Sequence, residues 1–147
     1  ILTVIIPDSV RTVGDNAFGG CASLESVYLP AGITQIGDYT FNKCSVLKEI
    51  TIPESVTSIG YSAFRGCIAL NTVAVPDSVT AIGDYAFYGC TGLASANIGS
   101  GVGSVGSGVF YGCDALTGIA YNGTAEKWAS VTVGTDNKVL TDKLSFK

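Results

Sequence analysis

Cut every 23 residues, the chain brings its most distinctive residues into register with no insertion or deletion. Phe18, Phe41, Phe64, Phe87 and Phe110 share one column, and Cys21, Cys44, Cys67, Cys90 and Cys113 share a second. Gly14, Gly37, Gly60, Gly83 and Gly106 form a third. A fourth, Pro7, Pro30, Pro53 and Pro76, ends where the fifth copy has Gly99. The full copies are 1–23, 24–46, 47–69, 70–92 and 93–115, and a sixth begins after them, so repeats occupy 1–121. A strict period of this length marks a solenoid, in which each copy contacts only its neighbours and buries its apolar edge against them.

Each column has a physical meaning. In the third copy, Leu47-Lys48-Glu49-Ile50-Thr51-Ile52 ends in apolar/polar alternation with a period of two, which predicts a half-buried strand with Ile50 and Ile52 inward and Glu49 and Thr51 outward. The following Pro53 has no N–H to give to a ladder and ends the strand. Val56 and Ile59 re-enter the core. Gly60 occupies a slot that needs positive φ or a close backbone approach. Ala63, Phe64 and Cys67 then pack from the opposite side. Stacked at about 4.8 Å per copy, such columns become continuous ladders of Leu, Val/Ile, Phe and Cys, with a parallel sheet on one face and a looser layer of turns on the other.

The string from Leu47 to Cys67, LKEITIPESVTSIGYSAFRGC, resembles the repeats of BspA-like leucine-rich proteins and their LxxIxIPxSVTxIGxxAFxxC pattern. The resemblance implies a β-rich leucine-rich-repeat solenoid with short parallel strands on one face and turns or short 3-10 segments on the other. That family occurs in surface or secreted proteins of anaerobic gut and oral bacteria and of some protozoan parasites, where it is associated with adhesion to host proteins and other cells. The implied location is extracellular or at the cell surface, and the implied partner is a host or bacterial surface protein. No catalytic residue or defined ligand site comes with the resemblance.

Residues 122–147 leave the pattern. Leu116, Ile119 and Tyr121 still fill the first core slots of the sixth copy, but Asn122-Gly123-Thr124 reads as a turn. Thr124 to Ala129 reads as a short helix capped by Thr124, with Trp128 in the column of Ile82 and Val105. Lys143-Leu144-Ser145-Phe146 alternates like a final strand. The segment is expected to cap the solenoid, with the Trp128 ring covering the end of a ladder. No equivalent precedes Ile1. The chain opens inside a repeat, so its N-terminal edge is expected to be uncapped, to continue into further repeats or a cap upstream, and to be open to end-to-end association.

Chemistry is scarce. The chain has no His and no Met, 14% charged residues and a net charge of −4, with no basic run of the kind phosphate backbones require, which excludes nucleic acid as a partner. No apolar stretch is long enough for a membrane span, which excludes membrane insertion by this segment. The cysteines are odd in number, lie in one inward column and lack His partners for zinc, so they are expected to be buried free thiols, with no metal. Gly101-Val102-Gly103-Ser104-Val105-Gly106 matches the dinucleotide fingerprint only by coincidence, since Gly106 is the repeat glycine and Val102 and Val105 are core slots. Asp15, Asp38 and Asp84 form a broken column with too few oxygens for calcium and are expected to be solvated turn residues. Asn122-Gly123-Thr124 is a glycosylation sequon whose plainer role is the turn. Without His, no nucleophile and base can be assembled, so no catalytic activity and no cofactor are expected.

What remains is a surface. The outward strand positions are Thr3 and Ile5, Ser26 and Tyr28, Glu49 and Thr51, Thr72 and Ala74, Ser95 and Asn97, Gly118 and Ala120. Ser26, Tyr28, Glu49, Thr51, Thr72 and Asn97 are the candidate ligand contacts, with Tyr28 as the anchor. A second cluster, Tyr61, Tyr85, Tyr88 and Tyr111, falls near the turn layer. The expected function is a non-catalytic protein-recognition or adhesion module, with a structural spacer as the alternative. Ice binding wants a regular Thr-x-Thr array, and the column Ile5, Tyr28, Thr51, Ala74, Asn97 is too irregular for one.

Overall fold

The computed structural model describes residues 2–147; Ile1, the first residue of the first copy, lies outside the described residues. The front strands are β1 (Leu2–Ile5), β2 (Leu24–Tyr28), β4 (Glu49–Ile50), β6 (Thr72–Val75), β8 (Ser95–Ile98) and β10 (Gly118–Tyr121). Between them lie two-residue strands β3 (Gln35–Ile36), β5 (Ser58–Ile59), β7 (Ala81–Ile82) and β9 (Ser104–Val105). The tail adds helix α1 (Ala125–Trp128), β11 (Thr132–Val133), helix α2 (Lys138–Lys143) and β12 (Leu144–Phe146).

The chain is a leucine-rich-repeat solenoid with parallel strands and a period of about 23 residues. Each copy runs along a front strand, a short second strand and a stretch of turns. The front row forms two parallel sheets, β1-β2-β4 and β6-β8-β10-β12. The register is in phase with the repeat, pairing Val73 with Ala96 and Ile119 with Ala96. The second row is more ordered than a layer of turns: β3-β5-β7-β9-β11 form a five-stranded parallel sheet that pairs Ile36, Ile59, Ile82 and Val105 in sequence. Inward Val/Ile side chains at this slot hold the short segments at ladder distance, and backbone bonds such as Thr80 N–H to the Thr57 carbonyl at 2.8 Å complete the pairing.

The turn side is also laddered. Phe41 N–H donates to the Ala63 carbonyl at 2.8 Å and Phe64 N–H to the Ala86 carbonyl at 2.7 Å, so neighbouring copies are hydrogen-bonded along all three sides. Inside, the phenyl rings form one stack: Phe18 to Phe41 at 5.5 Å, Phe41 to Phe64 at 5.3 Å, Phe64 to Phe87 at 5.2 Å and Phe87 to Phe110 at 5.5 Å, all within 13° of parallel. Burying each ring contributes about 1.5–3 kcal/mol before ordering entropy. Leu24, Leu47, Leu70, Leu93 and Leu116 form a second buried file behind the front sheet.

The recurring glycine is required by close approach. A Cβ on Gly60 would lie 2.7 Å from the Gly37 carbonyl carbon, and one on Gly83 would lie 2.7 Å from that of Gly60. Positive φ occurs elsewhere, at two other columns. The first holds Asn16, Tyr39, Ser62, Tyr85 and Gly108 at φ 58°, 58°, 50°, 58° and 60°. The second holds Gly20, Lys43, Gly66, Gly89 and Gly112 at 75°, 59°, 74°, 69° and 78°.

In the tail, Thr124 caps α1 by accepting the Lys127 N–H at 3.1 Å, as expected of its position. Trp128 departs from the expectation. It does not take the slot of Val105; Val133 of β11 does, paired across 28 residues instead of 23. The five extra residues are absorbed by α1, which carries Trp128 to the front core, its ring 4.9 Å from that of Tyr121. Phe146 of β12 meets Tyr121 from another side at 6.3 Å, with β12 paired to β10. Buried Asn137 ties the tail to the fifth copy. Its Nδ2 donates to the Gly106 and Gly134 carbonyls at 2.8 and 3.0 Å, and its Oδ1 accepts the Val109 N–H at 3.2 Å.

Candidate functional site

The period-two pleat of the front strands turns one set of side chains into the core and the other to solvent. Tyr28, at the end of β2, is 60% exposed, and Glu49 on β4 and Thr51 just beyond it are exposed. Ser26 is half-buried, its hydroxyl 2.9 Å from that of Thr3. These four residues border one shallow depression of about 410 Å³, which Val27, Leu29, Ala31, Ile50 and Pro53 also line. An exposed ion pair, Lys48 to Glu25 at 3.4 Å, stands beside it and contributes little to stability.

Thr72 and Asn97 are not part of that depression. They lie in the other front sheet, around a second hollow of about 360 Å³ whose remaining lining includes Ala74, Ser95, Ala120 and Lys147. Thr72 is exposed. Asn97 is half-buried, and its Oδ1 has no hydrogen-bond partner among the described residues. The six candidate contacts thus divide four and two, on either side of the break between β4 and β6.

The turn side carries a longer feature than the four tyrosines picked out from sequence. Tyr39 joins them: Tyr39 to Tyr61 is 5.3 Å, Tyr61 to Tyr85 5.8 Å, Tyr85 to Tyr88 5.7 Å and Tyr88 to Tyr111 5.4 Å. The guanidinium carbon of Arg65 sits 4.7 Å over the Tyr88 ring. Arg65, Tyr85, Tyr88, Tyr111 and Asp136 enclose a cleft of about 480 Å³. Desolvation and the neighbouring Tyr61 raise the Tyr39 phenol above its ordinary pKa. The signal in the sequence was Tyr39 and Tyr85 falling in one repeat column, but nothing in residue type marks that column as having left-handed backbone.

The aspartates are structural. Asp15 Oδ1 accepts the Asp38 N–H at 2.9 Å, Asp38 Oδ1 the Tyr61 N–H at 2.8 Å and Asp84 Oδ1 the Ser107 N–H at 2.8 Å. They are exposed turn residues, as expected, and each also ties its copy to the next. Asp77 does the same for the Ser100 N–H at 2.7 Å, a bond that holds its carboxyl below the usual range. Among the described residues no group of three or more His, Cys, Asp or Glu is placed to hold a metal, and no helix is long and apolar enough to cross a membrane.

The family model for the BspA-type leucine-rich repeat region matches residues 1–117 in six copies. Among solved structures, a leucine-rich cell surface protein from Faecalibacterium prausnitzii is 34% identical with a TM-score of 0.85, over 88% of this chain and 34% of that one. A leucine-rich repeat protein from T. pallidum is 28% identical, with a TM-score of 0.73 over 90% of this chain and 72% of its own. The pneumococcal vaccine antigen PcpA shares the fold at 24% identity and a TM-score of 0.74, covering 98% of this chain and 39% of that one. The chain spans about a third of the length of the F. prausnitzii protein. No curated protein matches it.

Proposed function

This chain belongs to the BspA-type leucine-rich repeat family, and on that premise we propose that it is a non-catalytic recognition and adhesion module of a secreted or cell-surface protein. The family is generally non-catalytic. The proposed partner is a host or bacterial surface protein, and the proposed contact is the front face through Ser26, Tyr28, Glu49 and Thr51, extended by Thr72 and Asn97 toward the C-terminal end. The observation that carries this reading is the depression between β2 and β4, where an exposed aromatic ring, a carboxylate and two hydroxyls are gathered beside Leu29, Ala31 and Pro53 on a rigid ladder. Such a mixture gives an anchor with polar groups to orient a partner, at little entropic cost. Residues 122–147 act as the C-terminal cap in this account.

A spacer is the second reading. It is favoured by the small outward residues Ala74, Ser95, Gly118 and Ala120, which give the C-terminal half of the front face little to grip with. Screening the isolated chain against immobilised host matrix proteins, glycans and bacterial surfaces separates the two. Saturable binding to a protein supports the module; binding to none of them supports the spacer.

A further inference from the structure

We propose that the turn side carries a second binding site, for a basic, proline-rich peptide segment in the polyproline II conformation. The inference rests on the reading of this chain as a recognition module and uses a different side of it.

Shape comes first. Three of the four contacts along the tyrosine stripe are edge-to-face, at 64°, 88° and 84°, and only Tyr88 and Tyr111 are parallel, at 8°. Rings set this way form ridges with furrows between them instead of one flat plate. Furrows between aromatic rings, edged by phenol hydroxyls that donate to backbone carbonyls, are how polyproline helices are held, because that backbone bonds nothing internally and presents its carbonyls outward.

Charge selects the kind of segment. The stripe already accommodates one guanidinium, that of Arg65 over Tyr88, so its ring faces take cations. Exposed Asp38 and Asp84 flank it, Asp136 lines the cleft beside Tyr111, and the chain as a whole carries −4. These carboxylates beside the rings complement a segment bearing Arg or Lys.

Spacing supplies the register. Asp38 and Asp84 stand two copies apart in one slot, which Thr135 takes two copies further along, and Asp136 takes the next slot, that of Tyr39 and Tyr85. At roughly 4.8 Å per copy the Asp38 and Asp84 carboxylates stand ~10 Å apart along the solenoid. A polyproline helix repeats its face every three residues, about 9.3 Å. Cations three residues apart therefore keep step with Asp38 and Asp84, while the intervening prolines fall in the furrows.

The test is fluorescence anisotropy of a labelled peptide of repeated Arg-Pro-Pro triplets, titrated with the full chain. Saturable binding is expected, weakened roughly tenfold by Tyr111→Ala and by Tyr88→Ala. Tyr111 is 52% exposed, so its loss leaves the core intact, and an unchanged unfolding midpoint verifies this. Arg65→Ala is expected to tighten binding several-fold by freeing the Tyr88 face and removing a like charge. Equal binding of an Arg-Gly-Gly peptide would reduce the effect to net charge and overturn the proposal. Absence of peptide binding overturns it too, as does saturable binding of a chito-oligosaccharide, lost in Tyr111→Ala, in place of the peptide. If the chain captures a protein partner but no Arg-Pro-Pro peptide, this second site alone falls and the recognition module stands.

Discussion

The thiol of Cys67 donates to the carbonyl of Phe41 at 3.1 Å, joining residues 26 apart in sequence. Cys44 to Phe18, Cys90 to Phe64 and Cys113 to Phe87 repeat the bond at the same distance. The column fills volume as a small hydrophobe would, and each thiol also adds to a carbonyl of the copy before it a second hydrogen bond, beside the backbone one that carbonyl already accepts.

Burial pushes the Cys44 thiol up to about 11 and the Cys67 thiol well above its ordinary value. At neutral pH a thiol reagent is expected to label half-buried Cys21 first, and the four buried thiols only when the chain unfolds. The linkage has a definite sign. Above about pH 9 the unfolded chain releases thiol protons that the folded chain keeps, so stability is full below that pH and falls from there upward, through about 11 for Cys44. Urea midpoints measured across this range check it, and a midpoint that stayed level above pH 9 would contradict the burial of the thiols.

The glycine column predicts a contrast between two identical substitutions. A Cβ at Gly60 would press on the Gly37 and Asp38 backbone at 2.7 Å, whereas nothing lies within 4 Å of the same atom at Gly14. Gly60→Ala is expected to cost at least ~2 kcal/mol, because backbone cannot step aside, and Gly14→Ala less than ~0.5 kcal/mol. Equal midpoints for the two variants in chemical denaturation would show that the copies are not packed backbone to backbone at this slot.

Lys43 holds φ at 59° in a column otherwise occupied by glycine. Lys43→Gly is expected to stabilise the chain by about 0.5–1 kcal/mol, the relief of left-handed strain exceeding the greater freedom of the unfolded chain. A loss of thermal stability in this variant would place that backbone outside the left-handed region.

Asn137 makes its bonds to Gly106, Gly134 and Val109 from a buried position, so Asn137→Ala leaves several backbone groups without partners. A loss of roughly 2–3 kcal/mol is expected. Hydrogen exchange at the Val109 amide is the readout, and protection equal to that of the unaltered chain would mean the tail is held by other contacts.

The fold was legible because its determinants are side chains that repeat. Phe64, Cys67, Val56 and Ile59 recur at fixed offsets, and each proved to be buried. Where backbone decides, residue type was a poor guide. One left-handed column holds Asn16, Tyr39, Ser62, Tyr85 and Gly108, which share no chemistry, and the second sheet is made of two-residue strands too short to show alternation. Trp128 was misplaced because the register was carried past Tyr121 at 23 residues, while the tail inserts five more to form α1. Of the site, the outward strand positions could be read from the pleat, but the division of the front face between β4 and β6, and the joining of Tyr39 and Arg65 to the other tyrosines, depend on packing between copies.

The measurement closest to the central claim is the affinity of the chain and of its Tyr28→Ala variant for the same captured surface protein, taken beside their thermal unfolding midpoints. Tyr28 is 60% exposed, so the variant should unfold at the same temperature. The account predicts binding weakened tenfold or more, on the order of the loss of one aromatic anchor. Equal affinity of the two proteins at equal stability would contradict recognition by the front face.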